Sequence, residues 1–123
     1  MAAKILIVED NANNRLILHD ILSFYKYEVL EADNGVAAID LAKKDRPDLI
    51  LMDLQMPAKD GFEALAELRK EPSISSVPII AVTASAMPAD RAKVLAAGFD
   101  GYVTKPFEVK EIAAVVKQHL ERK

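Results

Sequence analysis

The sequence contains no cysteine, which excludes disulfide bonds, thiol catalysis and cysteine-ligated zinc or iron–sulfur sites. It has two histidines, His19 and His119, so a histidine-rich metal site is not expected, and we expect both rings to be solvated. No apolar run approaches the roughly 20 residues that a membrane-spanning helix needs, and the N-terminus lacks the pattern of a signal peptide. We therefore expect a soluble protein of a reducing cytoplasm.

Basic residues are not concentrated anywhere in the sequence. The 123 residues carry a formal net charge of −3, and the lysines and arginines are scattered, so nucleic-acid binding is not indicated.

Hydrophobic residues make up 51% of the chain, close to the usual share for a folded domain. A chain of this length buries a sizeable core, and we expect a single domain over residues 1–123.

Short apolar runs alternate with helical patterns along the whole chain. Three runs of four apolar residues are typical of parallel strands covered on both faces: Ile5–Val8, Leu49–Met52 and Ile79–Val82. Two weaker candidates, Tyr27–Ala32 and Gly101–Lys105, are predicted to lie at or near the edges of the sheet. Repeated strand–helix units predict a doubly wound α/β domain, in which ligands bind at the carboxyl ends of the strands.

Five helices are predicted to follow these strands. Residues at helical spacing, all apolar except Lys43, give the faces of four of them: Ile17, Leu18, Ile21, Leu22 and Tyr25; Val36, Ile39, Ala42 and Lys43; Phe62, Leu65 and Leu68; and Val109, Ile112, Ala113, Val116 and Leu120. The remaining helix, the fourth, is predicted from its ends, because Pro88 suits a first turn and Gly98 suits a C-terminal stop.

Chemically capable side chains follow four of the five predicted strands. The strands end in Glu9-Asp10-Asn11, Asp53, Thr83 and Lys105-Pro106. Taken alone, Asp10 or Asn11 has an ordinary interpretation as a helix cap, and Asp53 has one as a turn residue. Thr83 fits any strand, and a single Lys105 would be a solvated side chain. Together, however, they bring three carboxylates, a hydroxyl and an ammonium group to one edge of the sheet.

These groups are the parts of a phosphoryl-transfer site. Close carboxylates repel one another, and burying them is costly unless a hard cation such as Mg²⁺ shares them. A carboxylate also serves as a nucleophile that accepts a phosphoryl group and becomes an aspartyl phosphate. Mg²⁺, a lysine and a hydroxyl then stabilise the charge of the transferring group.

Four stretches of the sequence resemble the receiver domain of bacterial two-component response regulators. They are "ILIVEDN" (5–11), "PDLILMDLQMPAKDG" (47–61), "PIIAVTA" (78–84) and "GFDGYVTKPF" (98–107). The resemblance covers essentially the whole chain, so residues 1–123 would be one receiver domain. It implies a flavodoxin-like fold, with a five-stranded parallel sheet in the order 2-1-3-4-5 and five helices.

The resemblance also implies roles for the residues at the strand ends. Asp53 would be the phosphoacceptor, and Lys105 would contact the phosphoryl group, with a cis peptide to Pro106. Thr83 would be a switch hydroxyl that moves toward the phosphoryl group, and Tyr102 the aromatic side chain that turns inward with it. Asp53, Lys105 and Thr83 would carry the chemistry.

The metal site implied by the resemblance is built on the acidic residues. Glu9 and Asp10 resemble the acidic pair of the family, and Asp10, Asp53 and the backbone carbonyl of Gln55 would hold Mg²⁺. We count Glu9 with these three as a metal-site residue. Mn²⁺ is expected to substitute for Mg²⁺.

The function that the resemblance implies is phosphoryl transfer from a histidine kinase or a histidine phosphotransfer protein to Asp53, followed by slow hydrolysis. Such a protein is not an enzyme for an external substrate, although it would promote its own phosphorylation and dephosphorylation. Because the chain stops at Lys123, we expect output through protein binding at the face of the fourth helix, fifth strand and fifth helix, or through phosphate relay. Neither DNA nor a membrane is an expected partner.

Within the family, the stretches "EDNANNRLILHDIL" and "ASAMPADRAKVLAAG" resemble stand-alone receivers of the DivK type of cell-cycle regulator. Similar stretches also occur in receivers of hybrid kinases, so a receiver fragment of a larger regulator stays open. A Mg²⁺-dependent phosphatase with an aspartyl nucleophile is a second alternative, although Gln55 stands where such enzymes carry an acid/base Asp. A nucleotide- or flavin-binding protein would need a phosphate loop where "EDNANN" is acidic.

The start of the first helix offers a surface for a kinase or a phosphotransfer protein. Asn13, Asn14 and Ile17 lie there beside the predicted acidic pocket, and Phe107 would join them. The competing interpretation places Ile17 in the core and the asparagines at the helix cap. Leu16 falls outside the apolar stripe and is expected to be exposed.

Overall fold

Strands and helices alternate along the chain in the computed structural model, which describes residues 2–54, 61–84 and 87–121. The elements are β1 (Lys4–Val8), α1 (Ala12–Phe24), β2 (Glu28–Ala32), α2 (Gly35–Asp45), β3 (Leu49–Asp53), α3 (Gly61–Lys70), β4 (Ile79–Thr83), α4 (Pro88–Ala97), β5 (Gly101–Thr104) and α5 (Val109–Glu121). Each predicted strand and helix is therefore present. Among the described residues, no helix has the length and apolar character needed to cross a membrane.

The strands form one parallel sheet in the order β2-β1-β3-β4-β5. This is the predicted flavodoxin-like order, and the two weaker strand candidates, β2 and β5, lie at its edges. The three central strands are buried on both faces, which explains their continuous apolar runs. The strand order reverses between β1 and β3, so a ligand site is expected where the carboxyl ends of these two strands meet.

Side chains alternate between the two faces of the sheet and fill two separate cores. Leu6 and Val8 of β1 pack on the face covered by α2, α3 and α4, whereas Ile5 and Ile7 pack on the face covered by α1 and α5. This alternation follows from the two-residue period of a strand. The layers hold the strand ends in fixed relative positions.

The ends of the helices are set by local signals in the sequence. The side chain of Asn11 caps α1 by accepting a hydrogen bond from the amide of Asn14 at 3.0 Å, so Asn11 and not Asp10 is the cap residue. Pro88 lies in the first turn of α4, as predicted. Gly98 ends the same helix with a φ of 114°, a left-handed conformation that glycine adopts without strain.

The buried helix faces are narrower than the sequence predicted. Ile17, Tyr25, Val36 and Val109 were expected on apolar faces but are 45%, 40%, 49% and 49% exposed. Ile17 lies about 100° around α1 from the buried Leu18, because successive helical residues differ by that angle. Tyr25 follows the last residue of α1, and the two valines lie in first turns, ahead of the residues that contact the sheet.

The prediction for His119 was wrong, because its ring is buried and only 6% exposed. A Cβ atom added to Gly101 would lie 2.8 Å from His119 Nε2, so the ring occupies space that the glycine leaves open.

His19 remains partly exposed, and its Nδ1 lies 2.9 Å from an oxygen of Glu31. Leu16 is 59% exposed, as predicted.

Candidate functional site

A cleft of about 210 Å³ lies where the carboxyl ends of β1, β3, β4 and β5 meet. Its lining consists of Glu9, Asp10, Asn11, Asn14, Asp53, Thr83, Ala84 and Lys105. Five residues of the predicted site, Glu9, Asp10, Asp53, Thr83 and Lys105, are thus brought together by the fold. Gln55, the remaining predicted metal-site residue, lies outside the described residues.

Asp53 is the last residue of β3 and is 3% exposed. Its Oδ2 atom lies 3.1 Å from Lys105 Nζ. The start of α3 passes close behind it, because a Cβ atom on Gly61 would lie 2.7 Å from the Asp53 carbonyl oxygen. Only glycine permits this approach of one backbone to another. The backbone of Asp53 is therefore held between β3 and the start of α3, and its carboxylate is paired with Lys105.

Lys105 joins two buried carboxylates across the cleft. Its Nζ atom lies 3.1 Å from Asp53 Oδ2 and 3.2 Å from Glu9 Oε2, and its amide donates to the Thr83 carbonyl at 2.8 Å. Its peptide bond to Pro106 is cis, as expected. Burial alone lowers the pKa of Lys105, but the hydrogen bond and charge of Asp53, with those of Glu9, raise this pKa above its usual value. The ammonium is therefore charged at neutral pH.

Glu9 is almost fully buried, with 1% of its surface exposed. Burial raises the pKa of Glu9, the neighbouring Asp53 raises it further, and the charge of Lys105 opposes the rise without reversing it. The amide of Asn11 donates to Glu9 Oε1 at 3.3 Å, and Asn14 Nδ2 lies 3.5 Å from the same atom. Glu9 Oε2 accepts no hydrogen bond within the described ranges, although Lys105 Nζ is near.

The acidic side chains are placed as a cation site requires. One carboxylate oxygen from each of Glu9, Asp10 and Asp53 lies within 4.8 Å of the others, with Asp10 exposed and the other two buried. The Oε2 atom of Glu9 is buried and has the Lys105 ammonium at 3.2 Å but accepts no hydrogen bond among the described residues, so it adds an available acceptor to this set. Hard oxygen ligands with one open side suit Mg²⁺, which retains water and binds phosphate oxygens. The residues present therefore fit the predicted ion.

The two predicted switch residues occupy different positions. Thr83 ends β4, is partly buried and lines the cleft. Tyr102 lies on β5 opposite Ala81 and does not line the cleft. Its ring packs against the core beneath α4, and the Arg91 guanidinium lies 5.7 Å from the ring centre.

Sequence reasoning missed the contribution of α1 to the cleft. Asn14 was assigned to a docking surface, but its side chain also lines the cleft beside Glu9. Arg15 was given no role, yet its Nη1 atom donates to the Glu9 carbonyl at 3.0 Å and lies 3.4 Å from the Asp10 carbonyl. The positions of Asn14 and Arg15 in the sequence could have indicated this, since the first turn of the helix that follows β1 must lie beside the end of that strand.

Comparison with known proteins identifies the family. A family model described as the response regulator receiver domain matches residues 5–117. The chain belongs to the response regulator receiver domains. The polar-differentiation response regulator DivK of Brucella anthropi is 38% identical to this receiver over 120 residues, which are 98% of each chain. DivK of Brucella ovis is 36% identical over the same length, so the predicted similarity to the DivK type is confirmed.

Solved receiver structures have the same fold. The receiver domain of the sensor histidine kinase PA1611 of Pseudomonas aeruginosa is 36% identical, with a TM-score of 0.91 over 98% of this chain and 99% of that one. That structure has a magnesium ion coordinated in its active-site cleft. The chemotaxis protein CheY4 of Vibrio cholerae is 29% identical, with a TM-score of 0.91 over 97% and 99% of the chains. The receiver is accordingly a two-component signalling protein of the response regulator class.

Proposed function

We propose that this receiver accepts a phosphoryl group on Asp53 from a phosphohistidine of a sensor histidine kinase or a histidine phosphotransfer protein, and that phosphorylation switches its binding to another protein. The observation that carries the proposal is the placement of Asp53, buried at a strand end and 3.1 Å from a lysine ammonium. The acidic cluster beside it and the membership of the receiver family support the same reaction. We place the exchange in the cytoplasm.

The transfer step uses the Asp53 carboxylate as the nucleophile. One carboxylate oxygen forms a bond to phosphorus, the phosphorus–nitrogen bond of the donor breaks, and its electron pair returns to the donor imidazole. Lys105 already lies within hydrogen-bond distance of the carboxylate, so its ammonium is placed to hold the oxygens of the arriving group. The hydroxyl of Thr83 lines the same cleft and is a second donor.

The acidic residues would hold the metal ion that this chemistry needs. We assign Glu9, Asp10 and Asp53, together with Gln55 outside the described residues, to Mg²⁺, and we expect Mn²⁺ to substitute. When bound, the ion neutralises negative charge on the phosphoryl oxygens and on the carboxylates. The buried Glu9 carboxylate, which Lys105 compensates only in part, would favour a cation in the cleft.

Loss of the phosphoryl group would return the receiver to its starting state. A water oxygen attacks phosphorus, the bond to the Asp53 oxygen breaks, and inorganic phosphate leaves. The residues of the cleft would promote both their own phosphorylation and this hydrolysis. No separate substrate is turned over, so we do not class the receiver as an enzyme.

The signal would pass from the cleft to a protein-binding face through Thr83 and Tyr102. Phosphorylation adds charge and acceptor oxygens, which favour movement of the Thr83 hydroxyl toward the phosphoryl group. Tyr102 then occupies the space that this movement opens, and the face formed by α4, β5 and α5 changes shape. The contact of Tyr102 with Arg91 of α4 is the observation that supports a connection to this face. We propose this face for the downstream partner.

Intact-mass spectrometry tests the phosphoacceptor. The receiver is incubated with Mg²⁺ and acetyl phosphate or phosphoramidate, and we expect one added phosphoryl group that hydroxylamine removes. Asp53→Asn should lack the adduct, whereas the matched variant Asp40→Asn on the exposed side of α2 should retain it. An adduct that persists in Asp53→Asn would contradict the assignment. Sustained release of phosphate from a small phosphate ester would instead support an aspartyl phosphatase.

The same assay tests the metal assignment. Removal of divalent cations should abolish the adduct, and either Mg²⁺ or Mn²⁺ should restore it. Asp10→Asn should need more metal for the same yield, because the exposed member of the acidic cluster is lost. Equal yields with and without a chelator would contradict the role of the ion.

A further inference from the structure

Arg15 bridges three parts of the molecule beside the acidic pair. From the first turn of α1, its Nη1 atom donates to the Glu9 carbonyl at 3.0 Å and lies 3.4 Å from the Asp10 carbonyl. Its Nε atom lies 3.4 Å from Oε1 of Glu31, on the edge strand β2. The side chain is 23% exposed, so these contacts are shielded from water in part.

These contacts continue the pairing of β1 with β2 beyond the end of the strands. The last strand pair is Val8 with Ala32, and the next amide, that of Glu9, donates to the Ala32 carbonyl at 3.0 Å. Arg15 then holds the Glu9 carbonyl from the other side. Glu9 is therefore held at both its N–H and its C=O group.

The backbone torsions between Glu9 and Asp10 set the relative directions of the two carboxylates. The Glu9 side chain enters the buried side of the cleft, while the Asp10 side chain, one residue later, stays exposed at the rim. A net change in ψ of Glu9 or in φ of Asp10 would turn one carboxylate relative to the other. Arg15 donates from a charged group to the Glu9 carbonyl, which belongs to this peptide, and lies 3.4 Å from the Asp10 carbonyl of the next peptide. Hydrogen bonds from a charged donor are stronger than neutral ones.

We propose that Arg15 is a positioning residue for the Mg²⁺ site, which holds the backbone of Glu9 and Asp10 so that their carboxylates converge with that of Asp53. The inference rests on the proposed function in that it concerns the same ion. Arg15 does not itself touch the cleft: its guanidinium faces carbonyl oxygens and Glu31, and it borders a separate open depression with Glu31 and Asp33.

Removal of Arg15 should affect Mg²⁺ affinity in two opposite ways, one through its positive charge and one through its hydrogen bonds to the backbone. Loss of a nearby positive charge would by itself make an acidic site attract a cation more strongly. Loss of the backbone contacts should instead weaken Mg²⁺ binding, by about 10-fold if Arg15 acts as ligand-orienting groups around metals usually do. The direction of the change in Kd therefore separates the two effects.

The experiment measures the Mg²⁺ Kd from backbone amide chemical shifts at constant ionic strength. Arg15→Met should raise the Kd by about 10-fold. Arg15→Lys retains the charge but has no planar fork to reach both carbonyls, so it should give an intermediate Kd. The carbonyl ¹³C shifts of Glu9 and Asp10 should change in the metal-free Arg15→Met protein, because these two groups lose their charged donor.

Two controls exclude general effects of substitution. Arg46→Met removes the same charge from the exposed end of α2, at the edge where the strands begin, and should leave the Kd unchanged. Ile21→Val destabilises α1 from its buried side and should lower the Tm without changing the Kd. An Arg15→Met protein with an unchanged or lower Kd would overturn the inference. Failure of the wild type to bind Mg²⁺ would overturn the proposed metal site, and this inference with it.

Discussion

The guanidinium group of Arg91 lies 5.7 Å from the centre of the Tyr102 ring, so a cation on α4 covers the aromatic side chain of β5. A second cation of the same helix, Lys93, lies 5.4 Å from the centre of the Phe62 ring on α3. Among the described residues of α4, only Val94 is buried. Two cation–π contacts therefore add to the packing of Val94 in holding this helix, at about 0.5–1 kcal/mol each.

A double-mutant cycle should measure the contact between Arg91 and Tyr102. Arg91→Met and Tyr102→Leu are made singly and together, and urea unfolding should give a coupling energy of about 0.5–1 kcal/mol. Lys93→Met combined with Tyr102→Leu is the matched control, because Lys93 faces another ring. Equal coupling energies in the two cycles would show that the contact is not specific.

Replacement of Glu9 should stabilise the metal-free protein at neutral pH. Burial and the nearby Asp53 raise the pKa of Glu9 in the folded state, so its contribution to stability is complete below the unfolded-state pKa and is lost as the pH rises through the folded-state pKa. Glu9→Gln should therefore have a higher Tm than the wild type at neutral pH. The difference should disappear in acid, where Glu9 is protonated in both states.

The exposed Glu28 at the start of β2 provides the control, because Glu28→Gln should change the Tm little at either pH. Saturating Mg²⁺ should reduce or reverse the advantage of Glu9→Gln, since ligand binding stabilises the wild type. A metal-free wild type that is more stable than Glu9→Gln at neutral pH would contradict the prediction.

Substitution of Gly61 should damage the cleft as well as the fold. A Cβ atom there would lie 2.7 Å from the Asp53 carbonyl and 2.9 Å from Leu54 Cα, both backbone atoms that cannot move aside. We expect Gly61→Ala to lower the free energy of unfolding by about 1–3 kcal/mol and to weaken Mg²⁺ binding. Gly98→Ala should strain the end of α4 but leave Mg²⁺ binding unchanged. Calorimetric titration of both variants distinguishes these outcomes.

Arg69 should contribute to stability and not to the cleft. Its guanidinium donates to the carbonyls of Ser75 and Val77 at 3.0 and 2.7 Å and pairs with Asp100 at 2.7 Å, which ties α3 to the segments before β4 and β5. Arg69→Met should cost about 2 kcal/mol in urea unfolding. Arg69→Lys should recover little of this loss, because one ammonium cannot span these acceptors.

The neighbouring Lys70 is the comparison for that experiment. Lys70→Met removes an exposed charge from the same turn of α3 and should change the free energy of unfolding by less than about 0.5 kcal/mol. An Arg69→Met protein as stable as Lys70→Met would contradict the role assigned to the guanidinium.

The central strands were predictable because burial on both faces leaves a continuous apolar run, as in Leu49–Met52. The site followed from the same fact, since parallel strands bring their carboxyl ends to one edge. His119 was not predictable, because its burial depends on the missing side chain of Gly101 on another element. Apolar periodicity along one helix contains no information about such a fit.

The contacts of Arg15 could not be predicted from the sequence, because they too depend on other elements of the fold. Its partners are backbone carbonyls and Glu31, and only the register of β1 with β2 brings Glu31 close. The β2 segment has a weak apolar pattern, so its register could not be fixed from the sequence. The orientation of the Glu9 carboxylate, which this register helps to set, was beyond prediction as well.

The pairing of Lys105 with Glu9 joins residues that are 96 positions apart in the chain. A folding intermediate without β5 would hold the acidic residues but no ammonium, and their mutual repulsion would oppose its compaction. We therefore expect the cleft to be completed late in folding, after the first and last strands have entered the same sheet. A ligand of the cleft should then slow amide hydrogen exchange throughout the central strands, because it binds the complete fold and not a local segment.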